Sequence, residues 1–155
     1  MKNYRELQKE MVRRLEHGSA TSAKGVSVVP MRADFKGEPE RSLTTVTFVG
    51  PDIGSAIQDT VVKPLARLEP EHHYYPTSAL HLTIKNIRSL ADPPAFSEAD
   101  IETADRVLRS TVRLYPAFDF ALEETVAFHS SVAVIGYSGQ CFKRLVQDLD
   151  DRLRR

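Results

Sequence analysis

Residues 80–87, LHLTIKNI, hold the cleanest two-residue alternation in the chain. Leu80, Leu82 and Ile84 point one way, and His81, Thr83 and Lys85 point the other. A chain with such a segment must build a sheet with one face on a core and the other facing a cleft or solvent. Residues 78–87 therefore read as a buried strand with an imidazole and a hydroxyl side by side on its polar edge. An imidazole exchanges a proton near neutral pH, and a hydroxyl donates a hydrogen bond to a phosphate oxygen. Lys85, next along the same face, would add positive charge.

The rest of the pattern supplies partners for that strand. Residues 44–49, TTVTFV, are β-branched and aromatic and predict a strand ended by Gly50-Pro51-Asp52. Ile57, Val61, Leu65 and Leu68 mark a helix face, with Pro64 expected to kink or break it. Ser97 and Asp100 resemble a capping box ahead of a helix carrying Ile101, Ala104, Leu108 and Val112. Residues 118–122 and 132–137 read as two adjacent antiparallel strands. Phe142, Leu145, Val146, Leu149 and Leu153 form a last helical stripe. At the other end, Tyr4, Leu7, Met11 and Leu15 predict an amphipathic helix stopped at Gly18. Residues 18–42 lack periodicity and read as a long irregular linker, with a short extended piece at 26–31. The expected fold is α+β, with helices packed on a largely antiparallel sheet. The expected division is an N-terminal helix and linker over 1–42 and one domain over 43–155.

Composition narrows the partners. Of 155 residues, 21 are basic and 21 acidic, so the formal charge is zero, which weighs against non-specific grip on long duplex DNA. No apolar run is long enough to span a bilayer. The single cysteine, Cys141, has no internal disulfide partner, and a reducing cytoplasm is the expected setting.

Tyr74-Tyr75-Pro76 followed by Leu80-His81-Leu82-Thr83-Ile84 resembles the first motif of the two-histidine phosphoesterase superfamily. That family includes 2′-5′ RNA ligase-like proteins and cyclic nucleotide phosphodiesterases. The resemblance covers roughly residues 43–155. It implies a bilobal fold in which each lobe gives one His-x-Thr or His-x-Ser to a central cleft. It also implies proton transfer by His81, phosphate contact by Thr83, and no metal or organic cofactor. Lys85 and Tyr75 are candidate substrate contacts; Tyr75 and Tyr137 could line a nucleotide pocket by stacking, with core or rim packing the competing account. The ligand expected is a nucleotide or RNA-end phosphate.

The second motif is the departure. The family pattern puts it on a strand after the last helix, and the sequence ends in that helix. The sequence thus predicts either a domain incomplete at its C-terminal end or a member that keeps half of the site. Phe128-His129-Ser130-Ser131-Val132 is an internal candidate, in which His129 and Ser131 would share a face; a turn is the plainer reading. His72-His73, Cys141, the Asp148, Asp150 and Asp151 group, and the Arg152, Arg154 and Arg155 cluster read as loop, packing and solvated residues. Two functions follow. One is a phosphodiesterase working by histidine acid–base chemistry; the other is a nucleotide- or RNA-end-binding module that does no chemistry. A purely structural domain is the third.

Overall fold

The computed structural model of the chain describes residues 3–20, 39–128 and 131–154. Its elements are α1 (Tyr4–Ala20), β1 (Arg41–Phe48), α2 (Pro51–Ile57), α3 (Lys63–Leu68), β2 (His81–Ala91), α4 (Glu98–Val112), β3 (Ala121–Ala127), β4 (Val132–Tyr137) and α5 (Gln140–Leu153). The fold is α+β, and its strand pairing is antiparallel. That pairing makes two separate two-stranded sheets, β1–β2 and β3–β4. By compactness the chain divides into Met1–Val29 with Thr103–Arg155, and Pro30–Glu102.

In the first unit, the buried apolar side chains are Ala104, Val126, Tyr137, Leu145 and Leu149. Leu145 and Leu149 belong to the α5 stripe seen in the sequence. Strand β3 begins at Ala121 rather than at Phe118. The aromatic residues ahead of it pack instead: Phe120 and Phe118 lie 4.9 and 5.9 Å from the Phe142 ring. Residues that cluster against a helix in this way leave no edge for strand pairing. The Phe128 amide donates to the Ser131 carbonyl at 2.7 Å where β3 turns towards β4.

Helix α1 docks on this unit through its polar side. Arg5 and Lys9 both pair with Glu123. Lys9 lies over the Tyr137 ring at 5.3 Å, and the Gln8 side-chain carbonyl accepts from the Ser138 amide at 3.3 Å. The stripe of Leu7, Met11 and Leu15, expected to be the packing face, is exposed. With Arg5, Gln8 and Lys9 making these contacts, that stripe is left outward. Gly18 does not stop α1, which continues to Ala20.

In the second unit, β1 and β2 pair over their whole length. The interruption expected at Pro64 takes the form of a π-helical turn, Gln58–Val62, between α2 and α3. Proline has no N–H for an α-helical bond, and the wider turn ahead of it absorbs that loss. Ile57, Val61 and Leu65 are half-buried, while Leu68 is exposed. The helix-start box is as the sequence suggests. The Ser97 amide donates to Asp100 Oδ2 at 2.8 Å, and the Asp100 amide donates to Ser97 Oγ at 3.3 Å. The Ser97 hydroxyl, donating to the same Oδ2 at 2.7 Å, and then the Ser97 amide hold the Asp100 carboxyl below its ordinary value, with Arg88 helping from 3.6 Å.

Among the described residues of this second unit, only Gly54 is fully buried. Strand β2 is therefore half-buried at most, against the expectation of a buried strand. Among the described residues no third strand joins β1 and β2, and a two-stranded ribbon leaves most of its side chains partly in water.

Candidate functional site

His81 opens β2 and is held from behind. Its Nδ1 lies 2.8 Å from the Ala79 carbonyl. A carbonyl oxygen only accepts, so Nδ1 carries the proton. In the neutral ring, the lone pair is then on Nε2. The tether comes from a single 3₁₀ turn, Thr77–Ala79, whose Leu80 amide donates to the Thr77 carbonyl at 3.2 Å.

That turn is seated on α2 through a glycine. A Cβ built on Gly54 would lie 2.4 Å from Thr77 Cγ2. Only a residue without a side chain lets the turn approach so closely. Upstream, Gln58 Nε2 donates to the Tyr75 carbonyl at 3.0 Å and fixes the loop entering the turn. Gly54 and Gln58 thus set the position of Ala79, and Ala79 sets the ring of His81. Neither residue was singled out from the sequence. The signal was there in part, as a glycine inside a helical pattern, which marks a close approach.

Strand register decides which side chains accompany His81. Cross-strand partners share a face. Phe48 pairs with His81, Thr47 with Leu82, and Val46 with Thr83, so Phe48, His81, Val46 and Thr83 lie on one face. Then the register slips: Thr45 pairs with Lys85, and Ile84 has no partner of its own. This is a β-bulge, with Ile84 and Lys85 both opposite Thr45. The extra residue carries Lys85 to the face of Leu82 and Thr45. Lys85 is accordingly half-buried. The expectation that Lys85 shares the face of His81 and Thr83 is corrected by this slip.

Asn86 takes that place instead. It pairs with Thr44, and Thr44 Oγ1 donates to Asn86 Oδ1 at 3.0 Å. The bond occupies the amide oxygen and leaves the NH2 group as the donor on the open face. The exposed row is thus His81, Thr83 and Asn86 on β2, faced by Phe48, Val46 and Thr44 on β1.

The other candidates fall elsewhere. Tyr75 is exposed in the loop before the 3₁₀ turn, its ring edge-on to His73 at 4.9 Å. His129 lies outside the described residues; Ser131 is exposed and precedes β4. His72 is exposed in a turn. Cys141 is half-buried near the start of α5, its thiol 4.0 Å from the Pro116 carbonyl. Tyr137 is a core residue at 2% exposure, its hydroxyl donating to Glu124. Asp148 is more than a solvated residue, since it accepts from the Tyr115 hydroxyl at 2.6 Å. A surface depression at the end of α5 is lined by Gln147, Asp148, Asp150, Asp151 and Arg154. Three carboxylates against one guanidinium repel a phosphate, so this depression does not compete with the β2 row. Among the described residues, no three His, Cys, Asp or Glu side chains gather as a metal site would require.

Comparison with protein-family models, with curated proteins and with solved structures finds no match to this chain.

Proposed function

We propose that this chain is a phosphodiesterase of the 2′-5′ RNA ligase-like type, acting on a 2′,3′-cyclic or 2′-5′-linked phosphodiester of a nucleotide or RNA end. The observation that carries the reading is the tether of His81 Nδ1 to the Ala79 carbonyl at 2.8 Å. It leaves Nε2 as a proton acceptor on the face that Thr83 shares. Nε2 removes a proton from water, the water oxygen bonds to phosphorus, and the bond to one ribose oxygen breaks. The Thr83 hydroxyl donates to a non-bridging oxygen as charge gathers there. The departing ribose oxygen requires a proton from a second acid. His81 is exposed, and solvent water is the proton source at hand. The proposed setting is the cytoplasm.

The test is turnover of 2′,3′-cyclic AMP by the full chain, with and without a chelator. His81→Ala is expected to lower the rate by roughly 10²–10⁴-fold, the usual worth of a placed general acid or base. The chelator is expected to leave it unchanged. An equal rate in His81→Ala and wild type would remove His81 from the chemistry.

One observation favours a second reading, a binding module without turnover. His81 and Thr83 are both exposed rather than enclosed, and catalytic electrostatics gain from excluding water. That reading predicts saturable nucleotide binding that weakens in Thr83→Ala, with no product formed.

A further inference from the structure

Phe48 is 67% exposed, the largest exposed aromatic surface on the β1–β2 sheet. A strand residue so apolar and so open is costly to leave in water unless something covers it. Its position is specific. It is the direct cross-strand partner of His81, and the two rings stand edge to face with centroids 6.3 Å apart. At 67% exposure, most of the phenyl ring faces solvent rather than the imidazole. The sheet therefore presents, side by side, a flat apolar platform and the imidazole–hydroxyl pair that would hold a phosphate.

We propose that Phe48 is a stacking platform for the nucleobase of the ligand whose phosphate meets His81 and Thr83. This rests on the phosphoester reading of that pair. The chemistry fits a nucleotide and not a bare phosphoester. A nucleotide joins a charged, oxygen-rich group to a flat aromatic ring through one ribose. The β1–β2 face offers a partner for each end in adjacent register positions. Stacking is also tolerant of sequence, because every base has a π face. Phe48 carries no hydrogen-bonding group, so it would set affinity for nucleotides as a class without selecting one base.

The chain contains no tryptophan, so Phe48→Trp supplies a single fluorescent reporter at the platform. Titration with adenosine 2′-monophosphate is expected to quench it saturably. Ribose 2-phosphate is expected to compete without quenching of its own. In turnover, Phe48→Ala is expected to raise KM for 2′,3′-cyclic AMP roughly 5- to 150-fold, the range seen for loss of a base stack. The KM for the base-free glycerol 1,2-cyclic phosphate should not move, and Phe48→Trp should restore the nucleotide value. Turnover that depends on His81, with no quenching and no KM change, overturns the platform and leaves the phosphodiesterase standing. Saturable quenching without turnover supports the platform and removes the enzyme. Absence of both quenching and turnover overturns both.

Discussion

Replacing Gly54 by alanine opposes two effects at one atom. Alanine is the better interior helix residue by about 0.8–1.0 kcal/mol. The added methyl, however, would stand 2.4 Å from Thr77 Cγ2, where relaxed carbon pairs sit about 3.5–4.0 Å apart. Something must move by about 1.1 Å, the difference between 3.5 and 2.4 Å. Thr77 is β-branched and stiff, and its carbonyl is bonded to the Leu80 amide at 3.2 Å. Its methyl cannot yield without disturbing the turn. Overpacking of this kind costs about 1–3 kcal/mol, so Gly54→Ala is expected to destabilise by about 0–2 kcal/mol net. The relief is Thr77→Ser, which deletes Cγ2 and keeps the hydroxyl. Urea unfolding of the wild type, both single variants and the double variant closes the cycle. The double variant is expected to be more stable than Gly54→Ala, with a coupling energy of at least about 0.5 kcal/mol. Gly54→Ala is also expected to slow any His81-dependent turnover, because the turn carries the Ala79 carbonyl. A Gly54→Ala protein more stable than wild type, with Thr77→Ser adding nothing, would refute the close approach.

The remaining expectations concern the bulge and a phenol. Asn86→Ala is expected to weaken nucleotide binding or turnover about tenfold or more, as loss of a hydrogen bond to a charged group does, whereas Lys85→Ala should change either by little; the reverse ranking would refute the register. Tyr115 donates to Asp148, and that bond raises the phenol above its ordinary value. A group whose folded value is raised contributes stability that is full below about pH 10 and is lost as pH rises through the raised value. Wild type should therefore lose stability more steeply than Tyr115→Phe in alkaline urea unfolding, and parallel curves would refute the bond's contribution.

Period-two and period-3.6 patterns made most elements legible. The alternation in β2, the box at Ser97 and Asp100, the α5 stripe and the antiparallel β3–β4 pair could all be read from the residues. What failed was packing, which depends on partners remote in sequence. The apolar stripe of α1 predicts a buried face. Yet Arg5 and Lys9 both find Glu123, far along the chain in β3, and the helix settles on its charged side. Phe118 and Phe120 look strand-forming, yet the Phe142 ring, equally remote, draws them into a cluster.

The site shows the same boundary at finer scale. His81 and Thr83 could be paired from spacing alone because the strand is regular between them. Lys85 could not, because a bulge changes the count. Ile84 and Lys85 both face Thr45, and Asn86 returns to the His81 side. Nothing in LHLTIKNI marks that slip: a bulge of this kind needs no glycine, and its location is set by the partner strand. The consequence is chemical as well as geometric. A row of His81, Thr83 and Lys85 would carry a fixed cation and would favour a dianionic phosphate monoester. A row of His81, Thr83 and Asn86 offers neutral donors beside one titratable ring. Such a row gains less from a dianion, so it suits the single negative charge of a phosphodiester and holds the doubly charged product less tightly. One unpaired residue in β2 thereby moves the expected preference from a monoester towards a diester, which for the proposed phosphodiesterase is the direction from product towards substrate.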